Sequence, residues 1–126
     1  SQMVFSGVMG ESGVTPLAFR GNIVSNGVVV TSPKAYRAER GRALVFQVHN
    51  PVGARPWLAT EAVQLPLTGE GREGAGRWTV AMDGPIEPGG SGRVVVESAG
   101  EGFAAPVLLE VREEGGSRGV RVEESR

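Results

Sequence analysis

The sequence predicts an all-β chain: an antiparallel two-sheet β-sandwich, immunoglobulin-like, with seven or eight strands. Three observations carry that expectation. Apolar residues alternate with polar ones over most of the length, which is the period of strands buried on one face. Glycine and proline are frequent, 20 and 8 of 126 residues, and they close the alternating runs rather than following a collagen-like repeat. No stretch of about a dozen residues free of glycine and proline sustains a helical apolar stripe, so at most one short helical turn is expected, near Ala59 to Ala62.

The elements follow in order. Met3 to Met9 and Val14 to Phe19 are short runs that Gly10-Glu11-Ser12-Gly13 turns back on one another. Val28 to Ala38, with Val28 and Val30 in alternation, is joined to Arg42 to Asn50 by the short loop Glu39-Arg40-Gly41, the spacing of a hairpin. In the second of these strands Leu44, Phe46 and Val48 share one face and pack on the core, while Val45, Gln47 and His49 share the other. Trp78, Val80 and Met82 define the next strand. The turn Pro85-Ile86-Glu87-Pro88-Gly89-Gly90 separates it from Val94 and Val96. Val107, Leu109 and Val111 pair with Val120 and Val122 across Glu114-Gly115-Gly116-Ser117. Thr68 to Arg77 is the one long loop. A small Greek-key barrel satisfies the same spacing and stands as the alternative architecture.

Residues 1–126 fit a single domain. The absence of cysteine excludes disulfides, thiolate metal sites and cysteine nucleophiles. One histidine, His49, and one aspartate, Asp83, are too few for a histidine-rich metal site or an Asp-rich calcium loop, so no metal or cofactor is expected. Net charge is -1. The densest basic group, Arg37, Arg40 and Arg42, includes Glu39 and reads as a solvated turn, so no nucleic-acid surface is expected. No apolar run reaches the ~18 residues of a membrane span, and no membrane insertion is expected.

The motifs that suggest chemistry meet structural objections. Gly69-Glu70-Gly71-Arg72-Glu73-Gly74 has dinucleotide-loop spacing, but a strand follows it where that loop needs a helix, and its glutamates would repel phosphate. His49 with Ser91, Ser98 or Thr60 lacks a nucleophile elbow, so a surface or strand-end histidine is the expected reading. Glu113 with Glu114 and Glu123 with Glu124 are adjacent strand residues that point to opposite faces, and solvated strand ends are expected for them. Trp78 reads as core. Trp57, in a loop after Arg55-Pro56, is expected to pack over the end of the sandwich. If exposed, it would combine with Arg55 and Tyr36 in a binding surface, since Trp, Tyr and Arg dominate protein-contact hot spots. Phe103 is a further candidate for a sugar-stacking platform.

Leu44 to Trp57 reads LVFQVHNPVGARPW, and Pro85 to Glu97 reads PIEPGGSGRVVVE. With Ser6-Gly7-Val8-Met9 and Gly13-Val14, these segments resemble the carboxy-terminal part of an uncharacterised paralogous family of myxobacterial proteins, a domain of unknown function. The resemblance implies that the chain is a fragment of an exported protein with a signal peptide and another β-rich region upstream. It implies a periplasmic or cell-envelope location, and some relatives are encoded near serine/threonine kinases. It carries over no catalytic residue.

The functional expectation is a non-enzymatic, structural or protein-binding module that meets a protein partner, or a second copy of itself, through a sheet edge. The alternative is a carbohydrate-binding module, which requires solvent-facing Trp57 and Tyr36. A hydrolase centred on His49 ranks below both.

Overall fold

A computed structural model describes residues 15–38, 41–65, 77–99 and 107–124. They form nine strands: β1 Thr15–Leu17, β2 Gly21–Ser25, β3 Val29–Ala38, β4 Gly41–His49, β5 Ala59–Leu65, β6 Arg77–Ala81, β7 Ser91–Ala99, β8 Val107–Glu113 and β9 Val120–Glu124. One sheet has the order β1-β3-β4-β7-β6 and the other β2-β9-β8-β5, all neighbours being antiparallel. The sheets are separate and open, so the structure is a β-sandwich and not a barrel.

The alternating residues place the core between the sheets. Leu44, Phe46 and Val48 of β4, Val94 and Val96 of β7, and Trp78 of β6 meet Ala62 of β5, Leu109 and Val111 of β8, and Val120 and Val122 of β9. Trp57 and Ile86 close one end of that core and pair their backbones, with N–H to O distances of 2.9 and 2.8 Å. The opposite face of β4 and β7 is buried too, at Ala43, Val45, Val95 and Glu97, so these central strands are covered on both sides. Along one side of the sandwich β5 lies against β6. There Trp78 Nε1 donates to Gln64 Oε1 at 3.1 Å, and the Ala59 N–H lies 3.4 Å from Met82 Sδ.

Four expectations are corrected. The described residues alone form nine strands, because two strands escaped the sequence reading. The helical turn near Ala59 to Ala62 is instead the start of β5, where pairing with β8 and burial of Ala59 and Ala62 override the helix propensity of Ala-Thr-Glu-Ala. Glu113 and Glu124 are not solvated strand ends: both are buried and ion-paired, to Arg118 and Arg42. Arg42 is correspondingly not part of a solvated turn. The strand at Met3 to Met9, the loop Glu39-Arg40, the dinucleotide-like glycines and Phe103 lie outside the described residues.

The Arg42–Glu124 pair yields a stability prediction. Burial outweighs the guanidinium and pushes the Glu124 carboxyl up from its ordinary value, so desolvation offsets much of the pair's attraction. The double variant Arg42→Met with Glu124→Leu is expected to unfold in urea with a free energy within about 1 kcal/mol of the parent, or above it. A loss beyond about 3 kcal/mol would show that the pair is a net stabiliser.

Candidate functional site

One end of the sandwich is organised by Asn50, the residue after β4. Its backbone N–H donates to Gly90 O at 2.9 Å, and its carbonyl accepts from the Gly89 N–H at 2.7 Å. Its Nδ2 donates to Arg55 O at 2.7 Å and Ile86 O at 2.9 Å, and its Oδ1 accepts from Arg118 Nη1 at 2.9 Å. Arg118, in the β8–β9 turn, also reaches Arg55 O and Pro56 O, both at 3.0 Å, and Glu113 Oε1 and Oε2 at 3.1 and 2.6 Å. Trp57 Nε1 donates to Arg118 O at 2.9 Å. Three loops are thereby fastened together by buried and part-buried polar groups that are hydrogen-bonded to each other. This is the chemistry of a clamp, with both side-chain N–H groups of Asn50 and its Oδ1 engaged within the protein.

The structure separates the residues proposed as a binding surface. Trp57 is fully buried, with 0% relative exposure, so its ring has no face on which a sugar or a partner can stack. Arg55 is exposed beside it, and its carbonyl belongs to the clamp. Tyr36 pairs in register with Ala43, near the start of β4, whereas Asn50 and Trp57 lie beyond its end. That separation is about 20 Å of extended strand, so Tyr36 and Arg55 do not share a surface.

His49 and Ser91 are cross-strand partners, with Nδ1 to Oγ at 3.0 Å, on an exposed part of the five-stranded sheet. Among the described residues no carboxylate is hydrogen-bonded to His49, and the pair has the geometry of ordinary cross-strand neighbours. No group of three or more metal-ligating side chains occurs among the described residues. No helix long and apolar enough to cross a membrane occurs among the described residues.

The outer face of the four-stranded sheet is different. A groove of about 460 Å³ lies there, lined by Val24 and Asn26, by Glu61, Glu110, Arg112 and Arg121, and by the β8–β9 turn. Glu110 bridges Arg112 at 2.7 Å and Arg121 at 3.1 Å, and those hydrogen bonds hold its carboxyl below the ordinary carboxylate range. The groove is bordered by β2, the last strand of its sheet in the described structure. Val24 is 65% exposed there, whereas Ile23 turns inward onto the core.

Backbone alternation shows what the β2 edge offers. Asn26 N–H donates to Gly119 O at 3.0 Å, one step beyond the unbroken β2–β9 register. Counting back, Val24–Arg121 and Asn22–Glu123 are the hydrogen-bonded pairs, so Gly21, Ile23 and Ser25 direct their N–H and C=O groups away from β9. The other edges are blunted. β1 has three residues and contains Pro16, β3 is interrupted by a bulge at Ser32 (φ 55°) and Pro33, and β5 lies against β6. The sequence reading missed β2. Its only signal was a short Asn-Ile-Val-Ser run between Gly21 and Gly27.

A family model for a protein of unknown function, DUF2381, matches residues 1–125. The chain belongs to the DUF2381 family. No curated protein matches it, and no solved structure does. Membership therefore brings no activity or ligand with it, and the DUF2381 chain has to be read from its own geometry.

Proposed function

We propose that the chain is a non-enzymatic protein-interaction module, and that the open edge of β2 is the surface it presents. The observation that carries this reading is that, among the described residues, the backbone groups of Gly21, Ile23 and Ser25 that face away from β9 have no partner, and they lie beside exposed Val24 on a strand without proline, lysine or a bulge. Such an edge is a template for an added strand, with main-chain hydrogen bonds supplying affinity and the flanking side chains supplying specificity. The Arg112, Glu110 and Arg121 array next to it offers charges of both signs to the partner's side chains.

The finer features of this reading are an immunoglobulin-like arrangement and an exported or envelope-associated parent protein. Strand order supports the first: β3-β4-β7-β6 faces β9-β8-β5, the ABED and GFC order of immunoglobulin sandwiches, with β1 and β2 as additions. The second rests on the resemblance at Leu44 to Trp57 and Pro85 to Glu97.

A photo-crosslinking amino acid in place of Val24, introduced into the protein in its native cell, tests the reading. A discrete adduct at that position, missing when the probe replaces exposed Val52 in the β4–β5 loop, is the expected result. No adduct from Val24 would sink it.

A further inference from the structure

Resting on the edge-pairing reading, we propose that the strand received by β2 is β2 of a second copy of this chain, antiparallel and centred on Ile23. The outward-facing backbone groups are self-complementary about that centre. Gly21 would exchange both main-chain hydrogen bonds with the second copy's Ser25, and Ile23 with the second copy's Ile23. Ser25 meets the second copy's Gly21, so every outward N–H and C=O of the edge is used. A two-fold axis perpendicular to the sheet keeps both cores on the same side and extends the four-stranded sheet into its copy.

Side-chain charge agrees with this register. Val24 stands across from Arg121 on β9, and Asn22 across from Glu123. About the two-fold, Val24 lies beside the second copy's Asn22. The row across the seam then reads Arg121, Val24, the second copy's Asn22 and the second copy's Glu123, and symmetry repeats it. Opposite charges flank the seam and no like charges face each other. The two Val24 side chains, each exposed in the single chain, lie diagonally across the axis and cover one another. An edge of this length buries little area, so the dimer belongs to the weak, concentration-dependent class.

Sedimentation velocity on the full chain up to about 0.5 mM should show a reversible monomer–dimer equilibrium. Val24→Glu adds a carboxylate that faces Arg121 within its own chain but stands in the row of the second copy's Glu123. It should leave the fold intact and weaken association about tenfold. Register is tested separately, because the chain has no native cysteine. Asn22→Cys mixed with Val24→Cys should give a disulfide-linked dimer on mild oxidation, while neither variant alone should. A strict monomer at every concentration overturns the proposal, as does equal cross-linking by the single variants. If the chain is monomeric and the Val24 photo-probe captures a different polypeptide, self-pairing falls and edge pairing stands. If that probe captures nothing, both fall.

Discussion

Trp57→Ala is expected to lower the unfolding free energy by about 3–5 kcal/mol, a large share of the ~5–15 kcal/mol typical of a domain. Trp57 is the largest fully buried side chain, and it closes the core where the β4–β5 loop meets the β6–β7 turn. Truncation removes apolar contact and opens a void lined by atoms that the backbone pairing with Ile86 holds in place, which limits collapse. It also strands the Arg118 carbonyl, which accepts the indole N–H. Trp57→Phe separates these contributions. It keeps most of the ring and loses the hydrogen bond, so it should cost about 1–3 kcal/mol in urea unfolding. Equal losses in both variants would contradict the assignment of the indole to the core.

Arg118→Ala should cost a comparable amount, about 3–5 kcal/mol, for a different reason. It leaves the Glu113 carboxylate buried without its guanidinium and Asn50 Oδ1 and Pro56 O without the Arg118 donor, while Arg55 O keeps only its bond from Asn50 Nδ2. Arg118→Lys should not restore stability, because one ammonium cannot serve acceptors spread over this fork. The pair also sets a pH dependence. The hydrogen bond from Arg118 holds the Glu113 carboxyl below its ordinary value. Its stabilisation is therefore complete above the unfolded-state pKa and drains away as pH falls through the lower folded-state pKa. Glu124, shifted upward by burial, acts in the opposite sense: its ionisation weighs against the fold as pH rises above the unfolded-state pKa. The stability gap between parent and Glu113→Gln should thus be widest near neutrality and narrow toward about pH 3. A gap independent of pH would remove Glu113 from the account.

Several strands were legible because their inward residues are large and regularly spaced. Leu44, Phe46 and Val48 announce β4, Trp78 and Val80 announce β6, and Val120 and Val122 announce β9. β2 and β5 were not. β2 has one inward apolar residue, Ile23, and β5 opens with small and polar residues and carries a register shift between Ala59 and Glu61. The buried charges were hidden for another reason. Glu124 and Asn50 find their arginines 82 and 68 residues away, a relation that only the strand register creates. The burial of Trp57 depends on a turn geometry that alternation does not encode. The edge that carries the functional proposal was equally invisible, because an open backbone is a property of sheet order and leaves no mark on residue type.

β2 lies near the start of the described chain, and its one described partner, β9, near the end. The four-stranded sheet therefore cannot be finished until β9 has left the ribosome, and until then β2 lacks its described partner and has sticky main-chain groups on the side that β9 will cover. Nascent chains growing side by side on one message would meet each other in that condition, which makes co-translational assembly, or its failure as aggregation, a hazard written into this topology.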